Sequence, residues 1–169
     1  MLPEAIQLVI VTPERQLVSQ SVYDVTLPGA EGELGVLPGH APLITELGIG
    51  ELTYRPKYDS TDVSKRTGEP VEPTYKPEGF RERVAIIRGF AEVLGDRVTV
   101  LAETAELPGE IDLQRAKAAL ERAEKRIASG TAATEMDWDR ATAALQRALI
   151  RIKVAEYVPR RRSAPVPTT

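Results

Sequence analysis

The side chains able to do chemistry are few and unevenly spread. The 169-residue chain holds no cysteine and one histidine, His40. Thiol nucleophiles, cysteine-held metals and disulfide staples are thereby excluded. A histidine metal site or a Ser-His-Asp triad would have to be built on His40 alone. That residue sits between Pro38-Gly39 and Ala41-Pro42, and no serine or carboxylate partner stands out beside it. A hydrogen-bonded turn histidine is expected there, not a catalytic base. Arginine carries the richer signal. Arg115 and Arg122 are seven residues apart, about two helical turns along one face, and Arg147 and Arg151 are about one turn apart. A guanidinium is always charged and presents forked donors that suit phosphate oxygens. If the two segments fold back on each other, both sets could converge on one polyphosphate. The alternative is a solvated arginine face with local ion pairs to Glu121 and Glu124, with Asp112 acting only as a helix cap.

The elements that must position these residues fall into two parts, with a change of character near Pro108-Gly109. Before it, short apolar runs are separated by Gly and Pro. Ile6–Val11, Val22–Leu27, Glu51–Tyr54, Val84–Ile87, Phe90–Leu94 and Val98–Ala102 read as strands, and Gly95-Asp96-Arg97 between the last two is a hairpin signal. Many short strands with turns between them predict an all-β antiparallel sandwich or flattened barrel over residues 1–108. Residues 55–79 interrupt the pattern with Pro56, Pro70, Pro73 and Pro77, and predict a long exposed loop inserted in a hairpin.

Residues 109–158 predict an antiparallel α-helical hairpin with an internal repeat. Asp112–Ile127 and Asp137–Ile152 align so that Asp, Arg, Ala, Leu, Arg, Ala, Arg and Ile recur in register. The repeat itself places Arg140 and Arg147, so part of the arginine pattern is periodicity. Asp112 and Asp137 suit the two N-caps, and Ser129-Gly130 suits the end of the first helix. The seam expected between the helices is Leu113, Ala116, Leu120, Ala123 and Ile127 against Trp138, Ala141, Leu145, Ala148, Ile152 and Ala155. With few large residues in that seam, such a hairpin should be marginal unless it docks on something. The tail at 159–169, with Pro159 and Arg160-Arg161-Arg162, predicts disorder.

Bulk numbers limit the function classes. A net charge of −3 argues against a nucleic-acid binder held by phosphate contacts, and no apolar run is long enough to span a bilayer. Met1-Leu2-Pro3-Glu4 has neither the basic nor the apolar region of a signal peptide, so the cytoplasm is expected, without an import presequence.

The stretch Leu27-Pro-Gly-Ala-Glu-Gly-Glu-Leu-Gly-Val-Leu-Pro-Gly-His-Ala-Pro-Leu-Ile-Thr45, which reads as a tight succession of turns, resembles the signature of the epsilon subunit of bacterial F-type ATP synthases. Arg88-Gly-Phe-Ala-Glu-Val93 with Val98-Thr-Val-Leu-Ala102 resembles that family's later sandwich strands, and Ile111-Asp-Leu-Gln-Arg-Ala116 the start of its C-terminal helices. The loop at 55–79 and the tail after Val158 depart from the family. The resemblance implies a non-catalytic central-stalk subunit on the cytoplasmic face of the plasma membrane, bound to the gamma subunit and resting on the c-ring. It implies a role in coupling proton flow to ATP synthesis. It also implies restraint of ATP hydrolysis when the C-terminal helices extend toward the alpha/beta catalytic head. No cofactor is required, but a regulatory ATP is implied by the Ile111-Asp112-x-x-Arg115-Ala116 match, with Glu106, Arg122, Arg147 and Arg151 as counterparts of the supporting residues. Glu31, Glu33 and His40, in the signature stretch, are the expected rotor-interface residues. A free-standing nucleotide-sensing module using the arginine hairpin is the competing expectation; it would stay monomeric, whereas the rotor subunit would co-purify with gamma.

Overall fold

The computed structural model of the chain describes residues 4–57, 80–129 and 134–157. Most of the expected inserted loop and the whole expected tail lie outside the described residues. Six strands come first: β1 (Ile6–Val11), β2 (Gln16–Gly29), β3 (Gly32–Val36), β4 (Leu43–Pro56), β5 (Glu82–Leu94) and β6 (Arg97–Glu106). A 3-10 turn at Pro108–Glu110 leads into helices α1 (Leu113–Ala128) and α2 (Glu135–Ala155). No helix among the described residues is long and apolar enough to cross a membrane.

The strands form one sheet in the order β1-β6-β5-β4-β2-β3, and a further β1–β2 pairing closes it into a flattened barrel. The long strand β2 makes closure possible. Its first half pairs with β1, its second half with β3 on that same edge, and β4 takes the opposite edge. All pairings are antiparallel except β1–β6, which is parallel. That one pair departs from the antiparallel expectation because the closed ring β1-β6-β5-β4-β2 holds five strands, and an odd ring cannot alternate direction at every pair. The core inside is aliphatic, with Leu8, Ile10, Val22, Val25, Leu27, Leu52, Val84, Ile86, Val98 and Val100 fully buried. The alternation in β1 and in Val98–Ala102 expresses this inward face directly.

Several strands are longer than the sequence pattern predicts. The Glu51–Tyr54 run is the later part of a 14-residue β4 that reaches Pro56, two residues into the expected loop. The Val84–Ile87 and Phe90–Leu94 runs belong to one strand, β5. The signature stretch, expected as consecutive turns, contains β3, because a glycine-bounded segment pairs along Val25–Gly29 when a strand edge is free. The two-residue turn Gly95-Asp96 falls where expected, with Gly95 at φ 61°.

The reason β5 looked like two strands is a change of pleat phase. Core-facing residues run Leu47 then Leu52 on β4, Ile86 then Ala91 on β5, and Ala102 then Ala105 on β6. Each interval is odd, so each strand swaps faces once. The β4–β5 and β5–β6 registers do not slip, so the three strands turn together. At the centre, Arg88 has φ 59° and Gly89 φ 139°. A Cβ on Gly89 would lie 2.1 Å from the Leu101 carbonyl oxygen, so only glycine fits. Arg88 holds a left-handed backbone that costs an L-residue about 1 kcal/mol.

The helices pack through alanine. Ala116, Ala123, Ala141 and Ala148 of the expected seam are buried, while Leu113, Leu120, Ile127, Leu145, Ile152 and Ala155 are half-buried. Trp138 departs from the expectation: it is 50% exposed. It lies in the first turn of α2, and helices brought together by alanine leave no space between them for an indole. Asp112 caps α1 as expected, its carboxylate accepting from the Arg115 N–H at 2.9 Å. Asp137 does not cap α2. The helix starts earlier, Thr134 is its cap, and the Asp137 carboxylate accepts the Thr134 hydroxyl at 2.8 Å. A threonine immediately before the acidic first turn outcompetes the aspartate, because its hydroxyl reaches the free Asp137 N–H. Helix α1 ends at Ala128 with Ser129 as its C-cap.

Candidate functional site at the junction of hairpin and sheet

The hairpin docks on the sheet through the C-terminal half of α2. Ile150 and Val154, four residues apart and so on one face, are buried with Ala85 of β5 and are flanked by Ile49 and Ile111. This cluster is separate from the barrel core. Around it stand ion pairs. The Arg151 Nε donates to the Glu106 carboxylate at 2.5 Å. The Glu51 carboxylate, 7% exposed, accepts from Lys153 of α2 at 2.7 Å and from Arg83 of β5. The Arg83 guanidinium lies 3.9 Å from the centre of the Tyr157 ring just past α2, and its Nε is buried with no hydrogen-bond partner among the described residues. Lys117 of α1 meets Glu156, the C-cap of α2, at 2.7 Å.

The approach to α1 is tied down separately. Glu110 in the 3-10 turn accepts from Arg15, in the β1–β2 connection, and from the Leu107 N–H at 3.1 Å. Burial alone would raise the Glu110 carboxyl; the Arg15 and Leu107 hydrogen bonds and the Arg15 charge outweigh it, and its pKa lies below the usual carboxylate value.

The residues expected to meet a nucleotide are distributed over this frame. Glu106 and Arg151 are brought together, but as partners of each other. Ile111 packs on the docking cluster, Asp112 is engaged as a cap, and Ala116 is buried in the seam. Arg115 and Arg122 are exposed on α1, and neither makes an ion pair with a described residue. The local partners expected for the arginine face do not serve it; Glu121 instead faces Lys125 at 4.0 Å. Arg147 lines a groove of about 270 Å³ together with Arg88, Asp139, Arg140 and Ala143. The hairpin is folded back, yet Arg147 and Arg151 serve different surroundings in it.

At the other end of the barrel, Glu31 is exposed in the turn between β2 and β3, and Glu33 is exposed on β3. His40 closes a turn: its N–H donates to the Leu37 carbonyl at 3.0 Å, and its Nδ1 is 2.8 Å from the Ala41 carbonyl oxygen.

Comparison with known proteins places this architecture. The model for the ATP synthase delta/epsilon chain β-sandwich domain matches residues 5–65, and that for the long α-helix domain of the same chain matches residues 110–156. The chain is 42% identical over 158 residues to the ATP synthase epsilon chain of Citrifermentans bemidjiense, covering 94% of this chain and 99% of the relative. It is 44% identical over 124 residues to that of Solibacter usitatus, covering 73% and 77%. The chain belongs to the ATP synthase epsilon chain family. A solved chain from the Euglena gracilis mitochondrial ATP synthase shares the fold, with a TM-score of 0.67 at 23% identity over 93% of this chain and 84% of that one. As an epsilon chain, the molecule combines the family's sandwich and its helical domain, and the junction just described is where the two meet.

Sequence reading missed the docking residues Ile150, Val154, Glu51, Arg83 and Lys153. A signal was present for two of them: Ile150 and Val154 form a second apolar stripe on α2, away from the alanine seam. Nothing in the strand pattern marks Glu51 or Arg83.

Proposed function

We propose that this epsilon chain works as a central-stalk subunit of a bacterial F-type ATP synthase, at the cytoplasmic face of the plasma membrane. In this reading the barrel is the fixed attachment, bound to gamma with Glu31, Glu33 and His40 toward the rotor interface and the c-ring, and it helps couple proton flow to ATP synthesis. The hairpin is the movable part. Docked, it leaves the alpha/beta head free; released, it extends and restrains ATP hydrolysis. One observation carries the moving part: the hairpin is held by a small apolar cluster and partly exposed ion pairs, whereas the barrel has a continuous aliphatic core. A regulatory ATP fits best on Arg115 and Arg122, the two predicted arginines of α1, both exposed and neither in an ion pair with a described residue. Binding there favours the docked form in proportion to its preference for that form.

The test is reconstitution into epsilon-depleted ATP synthase. Val154→Asp places a charge in the docking cluster and should release the hairpin. The expected result is unchanged co-purification with gamma and lower ATP hydrolysis. Hydrolysis equal to that with the native chain would refute the switch, and failure to co-purify even with the native chain would refute the rotor assignment.

A further inference from the structure

We infer that the groove between the β5 kink and the middle of α2 is a phosphoryl-anion site, formed by Arg88, Arg140 and Arg147. Three arginines, Arg88, Arg140 and Arg147, line a space of about 270 Å³ together with Asp139 and Ala143. Arg88 and Arg147 make no ion pair with any described residue, and Arg140 has only Asp137 at 4.0 Å. Like charges gathered in one concavity repel one another unless an anion joins them. Forked guanidinium donors match tetrahedral oxyanions better than single charges do.

The second observation is the backbone at Arg88. It holds φ 59° at the centre of the three-strand kink, where glycine would be free of strain. Strained conformations that persist against an easy alternative are concentrated where a side chain has work to do. Here the kink sets the arginine at the wall of the groove against α2. The site shares only Arg147 with the expected ATP set and includes none of Asp112, Arg115, Arg122 or Arg151, so it stands independently of the regulatory ATP reading.

Size defines the ligand. The groove holds a phosphoryl group and its immediate neighbours but falls below the volume that encloses whole cofactors. Nothing lining it is aromatic, so no base is recognised. Inorganic phosphate and the terminal phosphates of a nucleotide share the chemistry required. A chain of phosphates spanning the three guanidiniums should bind more tightly than a single one.

The experiment is titration of the full chain with phosphate, tripolyphosphate, ATP and GTP, followed by calorimetry and phosphorus NMR. Tripolyphosphate should bind more tightly than phosphate, and in Arg115→Ala ATP and GTP should bind equally. Arg88→Gln and Arg147→Gln should each weaken tripolyphosphate at least tenfold, and Asp139→Asn should tighten it by removing a repelling carboxylate. Arg88→Gly should weaken binding equally while raising the thermal midpoint, which separates loss of the site from loss of the fold. Arg115→Ala should leave tripolyphosphate affinity unchanged. The inference is overturned if no anion binds, if Arg88→Gln binds as the native chain does, or if Arg115→Ala abolishes binding. A strong preference for ATP over both GTP and tripolyphosphate that persists in Arg115→Ala would overturn it too.

Discussion

Replacing Ile150 and Val154 together with alanine should free the helical hairpin from the sheet and leave the barrel folded. Both side chains are buried in the docking cluster and touch the barrel only at its outer face. The double substitution removes about five buried carbons, worth about 4 kcal/mol at roughly 0.8 kcal/mol each, before any term for the cavity left behind. The ion pairs around the cluster cannot compensate. Lys153 is 58% exposed, and pairs open to solvent contribute about 0–1 kcal/mol. Native-state hydrogen exchange read by mass spectrometry resolves the two regions. Protection in α2 should fall by up to roughly a thousandfold, since each 1.4 kcal/mol is about a factor of ten. Amides of β5 and β6 should keep their native rates. Equal loss of protection across strands and helices would refute the reasoning, because it would mean that hairpin and barrel open as one unit. Undiminished protection in α2 would refute it in the other direction, assigning the docking strength to the ion pairs.

Other perturbations test the remaining features. Glu51→Gln strips the near-buried counter-charge from Arg83, which is 25% exposed; denaturant unfolding should show a loss of about 2–3 kcal/mol, below the 3–5 of a fully buried pair, whereas Lys153→Met should cost about 1 kcal/mol or less. Gly89→Ala drives a methyl into the Leu101 carbonyl at a positive φ and should cost about 3 kcal/mol or more, measured as a lowered thermal midpoint or as failure to fold. Glu110 has a folded pKa below its unfolded value, so its contribution is fully present above the unfolded value of about 4.3 and is lost as pH falls through the folded one. The stability difference between the native chain and Glu110→Gln should therefore be constant near neutral pH and vanish in acid, and a difference that grows on acidification would contradict the assigned direction.

Much of this molecule is legible along the chain because it depends on neighbours in sequence. Two-residue alternation marks the core faces of β1 and β6, glycine marks the β5–β6 turn, and spacings of three and four mark the two helices and their alanine seam. Asp112 caps its helix for reasons contained within four residues. The signature stretch and the Ile111–Ala116 motif likewise point to the family without any coordinates.

Tertiary structure decided what depends on residues far apart. The pleat reversal at Gly48, Arg88-Gly89 and Glu103 is a property of three paired strands, so the pattern of β5 alone looks like two strands with a break. Whether Glu106 and Arg151 face a ligand or each other depends on where α2 lands on the sheet. That landing rests on Ile150 and Val154 meeting Ala85, a contact between elements more than sixty residues apart. The same docking sets Arg147 beside Arg88 instead of beside Arg115. The sequence by itself determined which arginines exist and which helix face each one occupies. Only packing decided which of them share a groove, because that depends on the angle and height at which one apolar stripe meets a kinked sheet.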